Sequence, residues 1–361
     1  MRTIHVGLVP GDGIGPEVME EARRVLEAAG LRFGFGVELS RGLIGDAALA
    51  AGKSSLPIET VQLCEQAEGV LLGPVGGAHW SHITHLSEPK LAMQRLHGWL
   101  GAYANLRPFH IDDSLLGISP YRREIVRGVD LMVVRDVSAG LYFGHPRGIE
   151  VSEGRRVAVN TLVYSESEIE RVAHAGFQAA AHRRNHLALA TLAKVLESGE
   201  LWLEVVTALS ASYPQVRFTP IDLDQCMLEL SLNPRRFDVI LAEILAGELL
   251  STQAASLSGS MGLHPSAVLC RKGGGLFSPG HGSAPSLQGE GRANPTAAIL
   301  AAALMLEMAL GMPEEAAGIR RAVSDAIAAG ARTFDICQHN RKPLSTRAFV
   351  DRVITALRAP G

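Results

Sequence analysis

The stretch TIHVGLVPGDGIGPEVMEEARRVLEAAG, residues 3–30, combines a strand, a glycine-rich turn and a helix in immediate succession. Its apolar residues in the second half recur at the spacing of one helix face, at Val18, Ala22, Val25 and Leu26. Gly30 follows them, and glycine is a common residue at helix ends. A strand that turns directly into an amphipathic helix is the repeating unit of α/β folds, so this stretch predicts such a fold.

The same alternation continues along the chain. Apolar runs typical of buried strands lie at 67–73, 129–136 and 236–243. Stretches with helical periodicity lie at 165–183, 197–214 and 294–311. Ser165 or Ser167 is expected to start the helix at 165–183, because acidic residues follow in its first turns. Strands alternating with helices predict a largely parallel sheet.

Composition limits the possible functions. The chain has 361 residues, enough for about two domains by the usual length relation. Its net charge is −3, without the clustered Lys and Arg of a nucleic-acid surface. The four cysteines show no CxxC spacing, which favours free thiols in a reducing compartment. No signal-peptide pattern and no run of about 18 apolar residues is present, so we expect a cytoplasmic protein without a membrane partner.

Two glycine-rich stretches invite a ligand-binding interpretation. In GDGIGPE, residues 11–17, the spacing is neither that of the dinucleotide fingerprint nor that of a phosphate-binding loop. A tight turn that needs the backbone freedom of glycine is the favoured explanation. The loop HGSAPSLQGEGRANP, residues 281–295, is rich in small residues, so either its backbone approaches a ligand or it is an ordinary long loop.

Histidines are concentrated in GAHWSHITH, residues 77–85. His79, His82 and His85 could share a metal ion if they lie in a loop. On a helix their spacing would spread them too widely for one ion. Solvated histidines beside a polar cleft are the alternative.

Arg107, Arg135 and Tyr142 are candidates for binding an acid. Each arginine follows or ends an apolar run, and a guanidinium can hold a carboxylate through two parallel hydrogen bonds. A structural ion pair is the alternative for both. Tyr142 lies among glycines in GLYFGHPRG, which suggests a phenol presented to a cleft, or a tyrosine packed on the surface.

Carboxylates at two places suggest a cation site. Asp222 and Asp224 would share one face of a strand, where they could bind a hard cation or be simply solvated. In ILAGELLSTQA, residues 244–254, Glu248 precedes Thr252 by one helical turn. The spacing of Glu248 and Thr252 is that of two metal ligands on one helix face, but the second position is a threonine instead of a carboxylate.

These stretches together resemble one family, the metal-dependent β-decarboxylating dehydrogenases, and its isopropylmalate dehydrogenase branch most closely. The matching segments occur in the family's order and cover nearly the whole chain: GLVPGDGIGPEV, ANLRP, VRDVSAGLYFGHPRG, VLESGELW, NPRRFDVI, GSMGLHPSA and GARTFDI. The resemblance implies an isopropylmalate/isocitrate dehydrogenase-like α/β fold with two α/β domains, a central cleft and a homodimer. It implies a first domain of residues 1–106 plus 261–361, on the cofactor-loop side. Residues 107–260 would form the second domain, for substrate binding and dimerisation.

The resemblance also implies a chemistry. Members oxidise a 2-hydroxy acid with NAD or NADP and then release the β-carboxylate as carbon dioxide, with Mg or Mn as Lewis acid. A tyrosine and a lysine handle protons. The active site is shared across the homodimer. The implied partners are therefore a small carboxylic acid and a second copy of the chain, with no nucleic acid and no membrane.

Site residues carry over by position. Arg107 and Arg135 match substrate-binding arginines, and Tyr142 matches the catalytic tyrosine. Asp224 and Glu248 match two metal-binding aspartates, the second one methylene longer. The cofactor loop and its adenine end are matched by His281, Gly282, Ser283, Ala284, Pro285 and Asn294.

Departures from the family pattern fall at the same site. Thr252 stands at the third metal aspartate, and Leu192 at the catalytic lysine. The remaining replacements at matched positions are Thr191, Ser278, His97 for a substrate arginine, His145 for a glutamate, and Ser286 for the aspartate that binds the adenosine ribose. Lys194 lies two residues beyond the lysine position. These replacements weigh against the binding of NAD and of Mg or Mn.

The clustering of replacements and histidines suggests a changed function. We predict a divergent homologue that binds a small hydroxy or polycarboxylic acid through Arg107, Arg135 and His145. Tyr142 and His97 would carry altered redox or non-redox chemistry, because imidazole titrates near neutrality. Two alternatives remain: an ordinary NAD-dependent 3-isopropylmalate-type oxidative decarboxylase, and a catalytically inactive ligand-binding homologue, that is, a pseudoenzyme.

Overall fold

The computed structural model describes residues 2–76, 88–338 and 341–359. Its strands are β1 (Arg2–Val9), β2 (Phe35–Arg41), β3 (Gly69–Leu72), β4 (Ala102–His110), β5 (Asp130–Asp136), β6 (Gly148–Ser152), β7 (Arg155–Val159), β8 (His186–Thr191), β9 (Arg217–Asp222), β10 (Val239–Ala242), β11 (Pro265–Cys270) and β12 (Leu276–Pro279). Its α-helices are α1 (Gly15–Phe33), α2 (Asp46–Ala50), α3 (Ile58–Gln66), α4 (Glu88–Leu100), α5 (Arg123–Val126), α6 (Glu166–Ala181), α7 (Glu197–Ser210), α8 (Leu223–Leu232), α9 (Ile244–Ser256), α10 (Thr296–Met308), α11 (Pro313–Ala328) and α12 (Thr346–Arg358).

The chain divides into two compact units. The first comprises Met1–Ala102, Ile111–Arg123 and Ser258–Gly361. Its strands lie in the order β2-β1-β3-β12-β11, and β12 and β11 are the antiparallel pair in an otherwise parallel set. Helices α1, α10, α11 and α12 pack against one another, and α10 also lies against β11 and β12. The apolar α10 is buried on most faces, as its sequence predicts.

The second unit comprises Tyr103–His110 and Glu124–Leu257. Its strands lie in the order β4-β5-β10-β8-β9, in which β4 is antiparallel to β5 and the other neighbours are parallel. Strands β6 and β7 form a separate, mostly exposed hairpin. Helix α9 packs against β5 and against α8. The predicted α/β fold with a largely parallel sheet is confirmed.

The glycine-rich turn before α1 is structural. Gly11 and Gly13 have φ angles of +73° and +58°, a region that residues with a side chain rarely adopt. Between them, the Asp12 carboxylate accepts hydrogen bonds from the backbone amides of Ala47 at 3.0 Å and Gly76 at 2.8 Å. The predicted tight turn is confirmed, and Asp12 ties it to the start of α2 and to the segment after β3.

The start of α6 follows the capping pattern in the sequence. Ser165 and Glu168 form a reciprocal capping box there.

The cysteines form no disulfide in the described part of the chain. None of the helices in that part is long and apolar enough to cross a membrane.

Candidate functional site

Two buried arginines of the second unit are held by one asparagine. In the antiparallel register of β4 and β5, Asn105 lies opposite Arg135, and Arg107 follows two residues later on the same face of β4. The side-chain oxygen of Asn105 accepts hydrogen bonds from Nε of Arg107 at 2.8 Å and from Nε of Arg135 at 3.1 Å. Because the Nε edges are fixed in this way, the terminal nitrogens of both guanidinium groups are presented to an anion.

A carboxylate of the same unit meets those terminal nitrogens. Helix α9 is capped by Glu243, whose carboxylate accepts hydrogen bonds from two first-turn backbone amides at 2.7 and 3.1 Å. Gly247 allows α9 to pass close to β5, because a Cβ added there would lie 2.3 Å from Cβ of Arg135. Glu248 follows, and its carboxylate forms ion pairs with Nη1 of Arg107 at 3.3 Å and with Nη1 of Arg135.

Burial shapes the charge of this cluster. The side chains of Arg107 and Arg135 are 14% and 13% exposed, whereas that of Glu248 is 36% exposed. Burial lowers the pKa of Arg107 to about 10. Burial, with repulsion from Arg107, lowers the pKa of Arg135 to about 9. Both values lie above neutral pH, so both groups stay charged, and two buried cations side by side require a counter-ion.

Tyr142 lies near the arginines, at the end of a short 3-10 helix. Its phenol is close enough to Arg135 to raise the pKa of that arginine, against the larger effect of burial. The neighbouring Asp136 is fully buried and accepts a hydrogen bond from the hydroxyl of Tyr164 at 3.3 Å. The same hydroxyl accepts a hydrogen bond from the backbone amide of Ile244 at 3.0 Å. Asp136 and Tyr164 therefore tie the end of β5 to the start of α9.

The predicted metal ligands do not gather into a complete set within one chain. Asp224 is exposed in the first turn of α8, where its carboxylate accepts a hydrogen bond from the backbone amide of Gln225 at 2.8 Å. Glu248 is paired with the arginines. Thr252 directs its hydroxyl to the backbone oxygen of Glu248 at 3.0 Å. In residues 2–76, 88–338 and 341–359, no group of three or more His, Cys, Asp or Glu side chains is placed to hold a metal ion.

The predicted common face of Asp222 and Asp224 is wrong. Asp222 ends β9, and Asp224 already belongs to α8, because the chain changes from strand to helix between them. Asp222 instead forms an ion pair with the exposed Lys194, and this hydrogen bond raises the pKa of the lysine.

The position that matches the family lysine borders a small apolar space. Leu192 lies just after β8 and lines a cavity of about 30 Å³ with Leu196, Trp202 and others. That volume has room for about one water molecule. The preceding Thr191 is buried, and its hydroxyl donates a hydrogen bond to the backbone oxygen of Gly199 at 3.1 Å. No charged proton carrier stands at this position.

The predicted cofactor loop borders a larger cavity in the first unit, which we call the loop cavity. Its volume is about 460 Å³, within the range typical of small-molecule sites. The lining residues are Ile14, Gly259, Ser260, Met261, Gly262, His281, Gly282, Ala284, Leu287, Arg292, Ala293, Asn294, Phe334 and Asp335. Nδ1 of His281 is 2.9 Å from the backbone oxygen of Gly282. Its Nε2 is buried without a hydrogen-bond partner among the described residues, and burial lowers the pKa of this ring.

A polar network braces one wall of the loop cavity. Nδ2 of Asn294 donates to the Asp335 carboxylate at 2.9 Å, and Oδ1 of Asn294 accepts from the backbone amide of Thr296 at 3.0 Å. The hydroxyl of Ser260 donates to the same Asp335 carboxylate. The predicted binding residue Asn294 is therefore also a structural residue.

The other predicted loop residues divide into anchored and accessible ones. The buried Ser283 binds the backbone oxygen of Gly76 through its hydroxyl, and its own backbone oxygen accepts a hydrogen bond from the amide of Ile14 at 2.8 Å. Gly282 and Pro285 are exposed, and so is Ser286, at the position of the ribose-binding aspartate. The loop is fixed at Ser283 and open on either side of it.

Of the histidines predicted to act on the substrate, the structure describes His97 and His145. His97 is half-buried near the end of α4 in the first unit, and His145 is exposed in the second unit. His79, His82 and His85 lie outside the described residues. In the described part of the second unit, the polar contacts of Arg107 and Arg135 include no histidine.

Comparisons with known proteins agree with the fold. The family model described as isocitrate/isopropylmalate dehydrogenase matches residues 5–353. The chain is 42% identical to a 3-isopropylmalate dehydrogenase of Methylococcus capsulatus over 99% of both chains. It is 41% identical to one of Gloeobacter violaceus over 97% of both chains. Among solved structures, an isocitrate dehydrogenase of Methylococcus capsulatus matches with a TM-score of 0.84 and 30% identity, over 99% of this chain and 100% of that one.

These relatives overturn one prediction from the sequence. The prediction of a divergent homologue with altered redox or non-redox chemistry is wrong, because full-length relatives at about 40% identity are named 3-isopropylmalate dehydrogenase. The physical reason is that the frame of the arginine site is present: Asn105 holds Arg107 and Arg135, Tyr142 lies near Arg135, and the described polar contacts of both arginines in the second unit include no histidine.

Proposed function

The chain belongs to the isocitrate/isopropylmalate dehydrogenase family, and from that premise we propose that it is an NAD-dependent dehydrogenase. It oxidises a 2-hydroxy acid of the 3-isopropylmalate type and releases the β-carboxylate as carbon dioxide. The observation that carries the proposal is the buried pair of Arg107 and Arg135, held by Asn105 with Tyr142 nearby. Such a pair suits a carboxylate.

The proposed reaction gives Arg107, Arg135 and Tyr142 of the second unit distinct roles. The hydride on C2 of the acid would be accepted by NAD when NAD is bound, and the hydroxyl proton would pass to solvent, so that a 2-oxo acid forms. The bond to the β-carboxylate then breaks, carbon dioxide leaves, and the electron pair remains as an enolate. Arg107 and Arg135 hold and orient a carboxylate of the acid, and Tyr142 donates the proton that converts the enolate into the product.

The loop cavity is the proposed site of NAD. Its volume, its glycine-rich lining and the unpartnered Nε2 of His281 suit a nucleotide with several polar edges. Asn294, braced by Asp335, offers a fixed amide in the same wall. Ser286 stands where the family has the aspartate that would bind the ribose hydroxyls. Because serine lacks the carboxylate, we expect NAD to bind weakly.

A divalent metal fits this chain poorly. When bound in this family, Mg or Mn would stabilise the enolate. The described residues of one chain supply Asp224, which is exposed, and Glu248, which is paired with two arginines. They do not complete a site, so no step above depends on the metal.

We also propose that the replacements slow this reaction without changing it. Leu192 stands where the family has a lysine, and loss of a general acid or base often lowers a rate by about 10²–10⁴-fold. Thr252 is neutral and uses its hydroxyl within α9. A low turnover number is therefore part of the proposal.

We propose a homodimer built on the second unit. Leu228 and Leu232 of α8 and Leu249 of α9 are 53%, 62% and 46% exposed, and α8 packs beside α9. Exposed apolar side chains grouped on adjacent helices favour association with a second copy. Sedimentation of the full chain would test this, and a monomer at micromolar concentration would contradict it.

The function is tested by following NADH and carbon dioxide with the purified full chain. The acids are 3-isopropylmalate, malate and isocitrate, each offered with NAD or NADP and with Mn²⁺. We expect slow, saturable NADH formation, best with 3-isopropylmalate, and none in an Arg107→Met control. Acid binding without NADH from any combination would favour the inactive ligand-binding homologue.

A further inference from the structure

The arginine pair already has a carboxylate bound to it from within the protein. Glu248 contacts the terminal nitrogens of Arg107 and Arg135, and Asn105 holds their Nε groups. Two guanidinium charges and one carboxylate leave a net charge of about one positive unit on the cluster. Glu248 therefore occupies the position that a carboxylate of a bound acid would need.

This arrangement conflicts with a role for Glu248 in metal binding. A cation at its carboxylate would lie beside two guanidinium groups and be repelled by them. The residue one helical turn later is Thr252, whose hydroxyl is directed to the helix backbone, so it adds no negative charge. Within the described second unit, Glu248 is therefore better suited to pairing with Arg107 and Arg135 than to binding a metal ion.

We propose that Glu248 is an internal counter-ion of the arginine pair, and that an acid binds the pair by displacing Glu248. This inference rests on the proposed function only for the kind of ligand, a carboxylic acid. Displacement is mechanically simple, because Glu248 is one-third exposed and its side chain can rotate towards solvent. The arginines stay in place meanwhile, because Asn105 holds both of them.

The first experiment measures binding of malate by calorimetry, without nucleotide or metal. The proteins are the wild type, Glu248→Gln and the control Glu229→Gln, which removes a half-buried ion pair between Glu229 of α8 and Arg236. Glutamine keeps the shape and removes the competing charge, so we expect Glu248→Gln to bind malate at least about tenfold more tightly. Glu229→Gln should match the wild type. Equal or weaker binding by Glu248→Gln would overturn the inference.

The second experiment measures binding of Mn²⁺ alone by the same three proteins. An internal counter-ion predicts the same Mn²⁺ affinity in all of them. A loss of about tenfold or more in Glu248→Gln alone would identify Glu248 as a metal ligand, because removing one charged ligand weakens a metal site strongly. That result would also overturn the inference.

A third variant tests the counter-ion role through rescue. Glu248→Ala leaves the two arginines without their carboxylate, so acetate should raise its melting temperature more than that of the wild type. Equal shifts would count against the inference. NADH formation is assayed separately: tighter malate binding by Glu248→Gln without NADH from any acid would remove the proposed function and leave this inference standing. NADH formation with unchanged malate binding would do the reverse.

Discussion

The arginine pair of the second unit and the loop cavity of the first unit are opposite kinds of candidate binding site. The pair is charged, and its hydrogen bonds and ion pairs are made within the protein by Asn105 and Glu248. The loop cavity is a space of about 460 Å³ lined by small, apolar and polar residues, and Nε2 of His281 has no hydrogen-bond partner among the described residues. A ligand of the loop cavity would fill existing space, whereas the proposed acid would have to exchange one set of ionic contacts for another at the pair.

The largest expected effect separates the two regions directly. Arg135→Ala should lower kcat/KM for the acid by about 10³-fold, since truncating one member of a buried charge cluster costs about 2–5 kcal/mol. The affinity for NAD, measured by fluorescence quenching, should stay within about twofold of the wild type. A large loss of NAD affinity would show that the pair and the cavity are not independent.

A pair of glycine substitutions compares how tightly the two regions are packed. Gly247→Ala would bring a methyl group within 2.3 Å of Cβ of Arg135 and push α9 away from β5. We expect the free energy of unfolding to fall by about 1–3 kcal/mol in urea denaturation. The matched variant is Gly282→Ala in the loop cavity, where an added Cβ meets nothing within 4 Å. Its free energy of unfolding should change by less than about 0.5 kcal/mol, and equal losses in both variants would refute the contrast.

Restoring a carboxylate at residue 286 tests whether the predicted cofactor loop binds the ribose of NAD. Ser286→Asp should lower KM for NAD by about tenfold, because a hydrogen bond from the ribose to a carboxylate is worth more than one to a neutral group. KM for NADP should rise, since the carboxylate repels the 2′-phosphate. Ser286→Asn is the neutral control of the same shape. No difference between the aspartate and asparagine variants would place the ribose elsewhere.

The smallest expected effect concerns pH. Burial lowers the pKa of His281 below its ordinary value of 6.5, so the unfolded chain takes up a proton before the folded one as pH falls. Stability should therefore decline as pH falls below 6.5 towards the folded pKa, and this part of the decline should vanish in His281→Gln. Melting temperatures between pH 5 and pH 7 measure the difference. The exposed His145→Gln is the control, and an unaltered profile in His281→Gln would contradict the prediction.

Local patterns in the sequence were reliable guides to local structure. The alternation of strands and helices, the tight turn at Gly11 and Gly13, and the cap at Ser165 each depend on residues close together in the chain. Period, turn chemistry and capping are set largely by near neighbours. The same is true of the resemblance, which rests on many short matching segments. The helix end expected at Gly30 is wrong, because α1 continues to Phe33 and is capped by Gly34 in the left-handed conformation.

Inference from the sequence failed at a change of secondary structure and at contacts between distant segments. Asp222 and Asp224 do not share a face, because the chain passes from β9 to α8 between them. In the described part of the second unit, the arginines contact Asn105 and Glu248 and no histidine. Three residues that hold the site together were not predicted from the sequence: Asn105, Asp136 and Tyr164. Asn105 did stand two residues before Arg107 on one face of a strand, which is a signal that could have marked it.

The sequence by itself determined the α/β architecture, the family and the identity of the two arginines, because each follows from short-range patterns. Only the tertiary structure decided what those arginines bind. The ion pair between Arg107 and Glu248 joins residues 141 positions apart, and it depends on the register of β4 with β5 and on Gly247 letting α9 approach. No local pattern encodes such a contact, since it arises from the packing of a helix against a sheet.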